Sequence, residues 1–294
     1  MKKTILILSF VIILSLFAEP ITIMAPDNPS SLPLLIAADN IPDLEVKLFT
    51  NHAQAHSLFL SGKVPLLMTG YAVGESFAQR GVPIKMIASW VSGLNYLVTA
   101  DSLYDSFLDL KGQKLYFPFQ GSPIEKMSLW LAEQEGVDID NDLEIGYLPF
   151  ESMLQLMRQG KIANAVMPVS SALQIVDDSK FFFSFDLNDK WFQITGSDFY
   201  PQVCLFSNPD ADVDEFIPEL IKELQKACQM IEQDPEKAQS LAGGRLSYNP
   251  SVIMRSLELQ TFKLISGKEL QIAMEHYFEK SGIAKPPPAF YRAD

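Results

Sequence analysis

Short apolar runs rich in Ile, Val, Leu and Phe alternate along the chain with segments whose apolar residues recur every three or four positions. The first pattern predicts strands and the second amphipathic helices. Strands are expected at 21–25, 44–49, 64–69 and 84–91, separated by helices at 31–39, 52–61 and 72–80. The alternation continues with strands at 94–100, 113–118, 143–149, 164–168, 180–185 and 201–206. Helices are expected from Pro123 to Glu135, from Glu151 to Gln159 and from about Ser170. Beyond Asp210 the pattern turns helical, over 212–232, 235–241, 250–265 and 267–281. Such alternation builds mostly parallel sheets covered by helices, an α/β fold.

The order of elements implies two lobes. Residues 19–97 form an α/β unit that 204–294 completes with helices, and 98–203 form a second lobe with its own sheet. Two extended crossings, near 94–100 and 201–206, join them. No internal repeat or low-complexity tract interrupts this order.

The N-terminus adds a location. Lys2 and Lys3 precede an apolar run from Ile5 to Phe17, and Ala18 stands before Glu19 and Pro20. A positive start, a short apolar run and a small residue are the parts of a secretory signal peptide. Residues 1–18 are therefore expected to be removed on export to the periplasm; the alternative is an uncleaved anchor. A spanning helix needs about 20 apolar residues, and this run is shorter. The formal charge of -13 argues against nucleic acid or an anionic membrane surface as partner. Cys204 and Cys228 do not make a disulfide framework and read as two buried thiols.

The middle of the chain carries a resemblance. Ser106-Phe-Leu-Asp-Leu-Lys-Gly-Gln-Lys-Leu-Tyr-Phe-Pro, followed by Gln120-Gly-Ser-Pro, resembles a stretch of the nitrate/sulfonate/taurine-type substrate-binding proteins of ABC transporters, the group that includes thiamine-pyrimidine synthase-like proteins. Ser31-Leu-Pro-Leu-Leu-Ile-Ala-Ala, Phe59-Leu-Ser-Gly-Lys, Arg80-Gly-Val-Pro-Ile-Lys and Leu156-Met-Arg-Gln-Gly-Lys-Ile keep that family's order. The chain departs from it after Gly62 and Gly160, where the family's Asp is missing. The resemblance implies a periplasmic-binding-protein fold of the second type, with two α/β lobes closing on a ligand in the cleft. It also implies an ABC permease with its ATPase in the inner membrane as partner, a monomeric receptor and no cofactor.

Ligands in open α/β sheets sit at the carboxyl ends of strands, so the strand-to-helix junctions are the candidate contacts. Ser30 and Ser31 precede the first helix, and either face a ligand or only cap that helix. Thr69, Gly70 and Tyr71 follow the third strand, where the alternative is a tight turn. Ser92, Gly93, Asn95 and Tyr96 stand at the first crossing as hinge, pocket wall or both. Gln120, Gly121 and Ser122 open the best-defined helix; Ser122 and Glu125 have capping-box spacing. Pro168 and Ser170 mark the matching junction in the second lobe. None of these loops contains Lys or Arg, so the expected ligand is a small organic solute, neutral or singly anionic, of sulfonate or heterocyclic vitamin-precursor type.

Signals for catalysis are weak. His52 and His56 lie four apart on a helix without the Glu of a metalloprotease motif, and a polar helix face is the default over a metal site. No nucleophile elbow, phosphate loop or dinucleotide motif occurs. The expected function is solute binding without catalysis. The alternatives are a periplasmic ligand sensor and a cytoplasmic biosynthetic enzyme of the same fold.

Overall fold

The computed structural model describes residues 20–100, 102–176, 180–208, 211 and 213–292. The expected signal segment, residues 1–18, lies outside the described residues.

The first sheet draws on both ends of the chain. Its strands are β1 (Ile21–Pro26), β2 (Leu44–Phe49), β3 (Leu66–Gly70), β4 (Lys85–Ser92), β10 (Val203–Ser207) and β11 (Thr261–Ser266). The second sheet comprises β5 (Asn95–Ala100), β6 (Gln113–Phe117), β7 (Leu143–Tyr147), β8 (Asn164–Pro168) and β9 (Phe181–Asp186). The strand orders are β11-β4-β10-β3-β1-β2 and β7-β6-β8-β5-β9. β1 pairs in parallel with β2 and β3, and β6 with β7 and β8. β10 lies antiparallel between β3 and β4, and β5 lies antiparallel between β8 and β9. The chain thus crosses between the sheets twice, each time entering as a strand that opposes its parallel neighbours.

Local pattern explains each placement. β2 alternates half-buried Leu44, Val46 and Leu48 with exposed Glu45 and Lys47, as befits an edge strand covered on one face. β3 and β10 are buried along their lengths, as central strands must be. Cys204 and Cys228 are both buried free thiols.

Around the first sheet pack α1 (Leu32–Ala38), α2 (His52–Leu60), α3 (Tyr71–Gln79), α9 (Ile217–Gln233), α10 (Pro235–Ala242), α11 (Pro250–Leu259) and α12 (Gly267–Ser281). The second sheet carries α4 (Pro123–Gln134), α5 (Ile139–Asp142), α6 (Phe150–Arg158), α7 (Val169–Val176) and α8 (Leu187–Thr195).

Three elements differ from the sequence expectation, one of them the short helix α5, which has no counterpart there. The helix expected over 250–265 stops at Leu259, and Thr261–Ser266 is the edge strand β11. Its Thr261 and Lys263 are exposed while Phe262 and Leu264 are buried, a period of two that a helix cannot hold. α8 has no counterpart in the sequence reading. It is bounded by Asp186, whose side chain accepts from the Asn188 amide, and by Gly196 in the left-handed region at φ 71°.

The lobes meet along an aromatic seam. Tyr277 of α12 lies 5.7 Å from the Tyr71 ring, 5.3 Å from Trp191 and 6.5 Å from Tyr200. Trp191 in turn lies 5.1 Å from Trp130 of α4. On the other side of the crossings, α11 packs on α7.

Candidate functional site

β1 and β2 run in parallel and end at Pro26 and Phe49. The residues that follow them, Asp27 and Thr50, line a cavity of about 330 Å³ together with Gln174 of α7 and Ser247, Tyr248, Asn249 and Val252 at the start of α11. Elements of both lobes therefore wall it, at the carboxyl ends of parallel strands. Asp27 Oδ1 accepts the Ser247 amide at 3.0 Å, which ties the β1 loop to the segment before α11. Tyr248 sits beside the Ser170 hydroxyl at the start of α7. Burial raises the Tyr248 hydroxyl above its ordinary range; the Ser170 contact partly offsets this, and the charges of Asp27 and Glu151 add to it.

None of the residues picked out from sequence lines this cavity, and most are committed to the protein itself. Ser30 and Ser31 are fully buried. The Ser30 hydroxyl donates to Asn28 Oδ1, its carbonyl accepts Trp90 Nε1 at 2.9 Å, and the Ser31 hydroxyl donates to Pro26 O at 2.6 Å. Thr69 Oγ1 lies 3.3 Å from His56 Nε2. Tyr71 points into the aromatic seam, its amide donating to Gln202 O at 3.0 Å. Gly70 stands against Pro123 of α4, where a Cβ would come within 3.3 Å of the ring.

Ser92, Gly93, Asn95 and Tyr96 collect at the first crossing. Ser92 pairs with Thr261, Asn95 with Pro168, and the Tyr96 hydroxyl donates to Leu259 O at 3.2 Å. Leu94 joins its amide to Gln202 Oε1 at 3.1 Å and its carbonyl to the Val169 amide at 2.8 Å, so both crossings and the β8–α7 junction share one hydrogen-bonded node. Of the residues chosen from sequence, Asn95 has a buried Oδ1 without a partner among the described residues.

Gln120 and Gly121 are exposed, whereas Ser122 is buried and accepts the Glu125 amide at 3.2 Å. The Glu125 carboxylate reaches back to the Gly121 amide and accepts from the Tyr147 hydroxyl at 2.5 Å. Only half of the capping box expected from the spacing forms: Ser122 caps the helix, but Glu125 reaches the Gly121 amide and not that of Ser122, which donates to Phe119 O.

The titratable groups near the lobe junction have clear environments. Burial, then the charge of His52, lowers His56 to about 4, which keeps it neutral near pH 7. Burial raises Asp186 to about 7. Burial likewise raises Glu75, which faces a crevice of only about 40 Å³ between α3 and α4. No group of three or more His, Cys, Asp or Glu that could hold a metal ion exists among the described residues.

Sequence reasoning passed over Asp27, Thr50, Gln174 and the Ser247–Asn249 segment. Asp27 and Thr50 follow strands directly, a signal that strand ends alone supply. Tyr248 comes from a connection between helices and is placed only by the packing of α11.

No protein-family model matches the chain, and no curated protein matches it. Solved structures do. An ABC transporter from Parabacteroides distasonis matches at a TM-score of 0.72 with 16% identity, over 94% of this chain and 99% of that one. The ligand-binding component of an ABC-type import system from Staphylococcus aureus, with zinc bound, matches at 0.74 and 14%, over 94% and 97%. The periplasmic aliphatic sulphonate binding protein SsuA from Escherichia coli matches at 0.72 and 16%, over 94% and 93%. The chain therefore has the periplasmic-binding-protein fold of the second type, and structures of the group it resembles in sequence share that fold.

Proposed function

We propose that this protein is the extracytoplasmic solute-binding component of an ABC-type importer. The observation that carries the reading is the cavity of about 330 Å³, walled by both lobes at the strand ends; its volume falls in the range of small-molecule sites. A ligand there touches β1, β2, α7 and α11 at once, so it favours the arrangement in which the lobes are together. Binding then drives closure by its differential affinity for the closed state.

The lining is suited to holding a solute. It offers a carboxylate, hydroxyls and amides, the hydrogen-bonding groups that orient a small molecule. Export to the periplasm, a permease partner and closure about the two crossings belong to the same proposal. The expected ligand is a small organic, hydrogen-bonding solute, and its charge distinguishes a sulfonate from a heterocycle.

A thermal-shift screen tests the reading. A ligand at a hundredfold excess over its Kd stabilises the folded state by about 2.7 kcal/mol. A solute from a panel of sulfonates, nitrogen heterocycles and amines should therefore raise the melting temperature measurably. A panel-wide absence of any shift contradicts solute binding.

A further inference from the structure

We propose that the cavity takes a small organic cation, a solute carrying a protonated nitrogen, with Asp27 as its counter-ion. This rests on the solute-binding reading and names the ligand class.

The first observation is the lining itself. Among the described residues that line the cavity Asp27 is the only charged one, and none is Lys or Arg. Arg158 is exposed and donates to the Gln174 carbonyl at 2.9 Å, but it does not line the cavity. A sulfonate here would meet a carboxylate and no cation, whereas bound anions are normally met by Arg or Lys or by charge-seeking amides.

The second observation concerns helix starts, the other common anion sites: several near the crossings already spend an amide within the protein, although the start of α11, with Pro250 at its first position, has no side-chain cap. At α2, Asn51 Oδ1 takes the Gln54 amide at 3.0 Å. At α3, Gln202 O takes the Tyr71 amide at 3.0 Å. At α7, Leu94 O takes the Val169 amide at 2.8 Å. At α4 the start is already occupied by Ser122 and the Glu125 carboxylate. His56, lowered to about 4, supplies no positive charge near pH 7 either.

The third observation links charge to closure. Tyr248 lies within the electrostatic reach of two carboxylates, Asp27 from the first lobe and Glu151 of α6 from the second. A cation seated beside Tyr248 falls within the electrostatic reach of both. The Tyr248 ring adds an aromatic surface of the kind that organic cations favour. A positively charged solute thereby gains most when the lobes are together, which is the condition for a ligand-driven clamp.

The test uses three matched probe sets on the purified protein at low ionic strength: benzamidinium and choline, benzamide and thymine, and benzenesulfonate and ethanesulfonate. Thermal shift and titration calorimetry read binding to the parent and to Asp27→Asn. The variant keeps an acceptor for the Ser247 amide, so its own melting temperature should stay close to the parent's. The expected result is stabilisation by the cations, none by the sulfonates, and weakening of cation binding by about tenfold in Asp27→Asn. Stabilisation confined to sulfonates or neutral probes overturns the ligand class and leaves solute binding standing. Cation binding unchanged by Asp27→Asn overturns the assignment of Asp27. No binding by any probe removes both the cation class and the solute-binding reading.

Discussion

Asp186 ends β9 and caps α8 with one side chain, and burial holds its carboxyl at about 7. The groups around it are the Asn188 amide that it accepts at 2.9 Å, the neighbouring charge of Asp189, the raised hydroxyls of Tyr96 and Tyr200, and Gly93. In the unfolded chain the same carboxyl titrates near 4. Its contribution to stability is therefore fully present below about 4 and is lost as pH rises to about 7, at up to about 1.4 kcal/mol per pH unit. His52 and His56, both lowered, act in the opposite sense: their folded forms resist protonation, so stability is lost as pH falls through that range. Asp186→Asn isolates the first effect because Asn caps as well as Asp. Urea titrations at pH 4, 5.5 and 7 should show the variant gaining on the parent as pH rises; a constant difference would contradict the raised carboxyl.

At the level of single residues the sequence pointed to strand-to-helix junctions, and none of the side chains chosen there lines the cavity. Ser170 was legible because it opens a helix directly after a strand; it is buried and lies beside Tyr248. Asp27 was passed over because the capping pattern drew attention to Ser30 and Ser31, whose hydroxyls instead bond Asn28 and Pro26. Tyr71 read as a candidate ligand contact, but its apolar ring packs on Tyr277, Phe278 and Phe290 from a helix and tail some two hundred residues away in the chain.

Among elements, the β4–β5 turn bears on the clamp most directly. Gly93 stands there in the left-handed region at φ 71°, and a Cβ on it would lie 2.7 Å from the Leu259 carbonyl, which is backbone and cannot turn aside. Gly112 is equally left-handed at φ 76° but has open space around it. Gly112→Ala should cost only the conformational term, roughly 1–2 kcal/mol. Gly93→Ala should cost clearly more, since the β4–β5 turn must also move away from α11. Equal losses in chemical denaturation would show that the Leu259 contact yields freely.

The strands of both sheets were legible as short apolar runs, with the exception of β11. There the apolar residues of 250–259 keep a helical spacing up to the boundary, and Thr261–Ser266 carries only a brief alternation. Its partner β4, which fixes it as a strand, lies far away in sequence. α8 escaped for a similar reason: its buried residues, Leu187, Lys190 and Trp191, make too short a stripe to stand out. The Lys190 ammonium is held by the Glu135 carboxylate at 2.9 Å, a pairing visible only in the fold.

For the whole molecule, two sheets joined by two crossings create a cleft whose walls belong to different lobes. The seam of Tyr71, Trp191, Tyr200 and Tyr277 lies on one side, and the cavity bounded by Asp27, Gln174 and Tyr248 opens on the other. Motion that opens the cavity therefore separates α7 from the Asp27 loop and the segment before α11, while the crossings at Leu94 and Gln202 stay bonded to each other. Small-angle X-ray scattering of the purified protein, alone and saturated with the probe that stabilises it most, tests this directly. A smaller radius of gyration is expected with ligand if a solute bound between the lobes draws them together. Saturating binding with no change in the separation of the lobes would contradict the clamp.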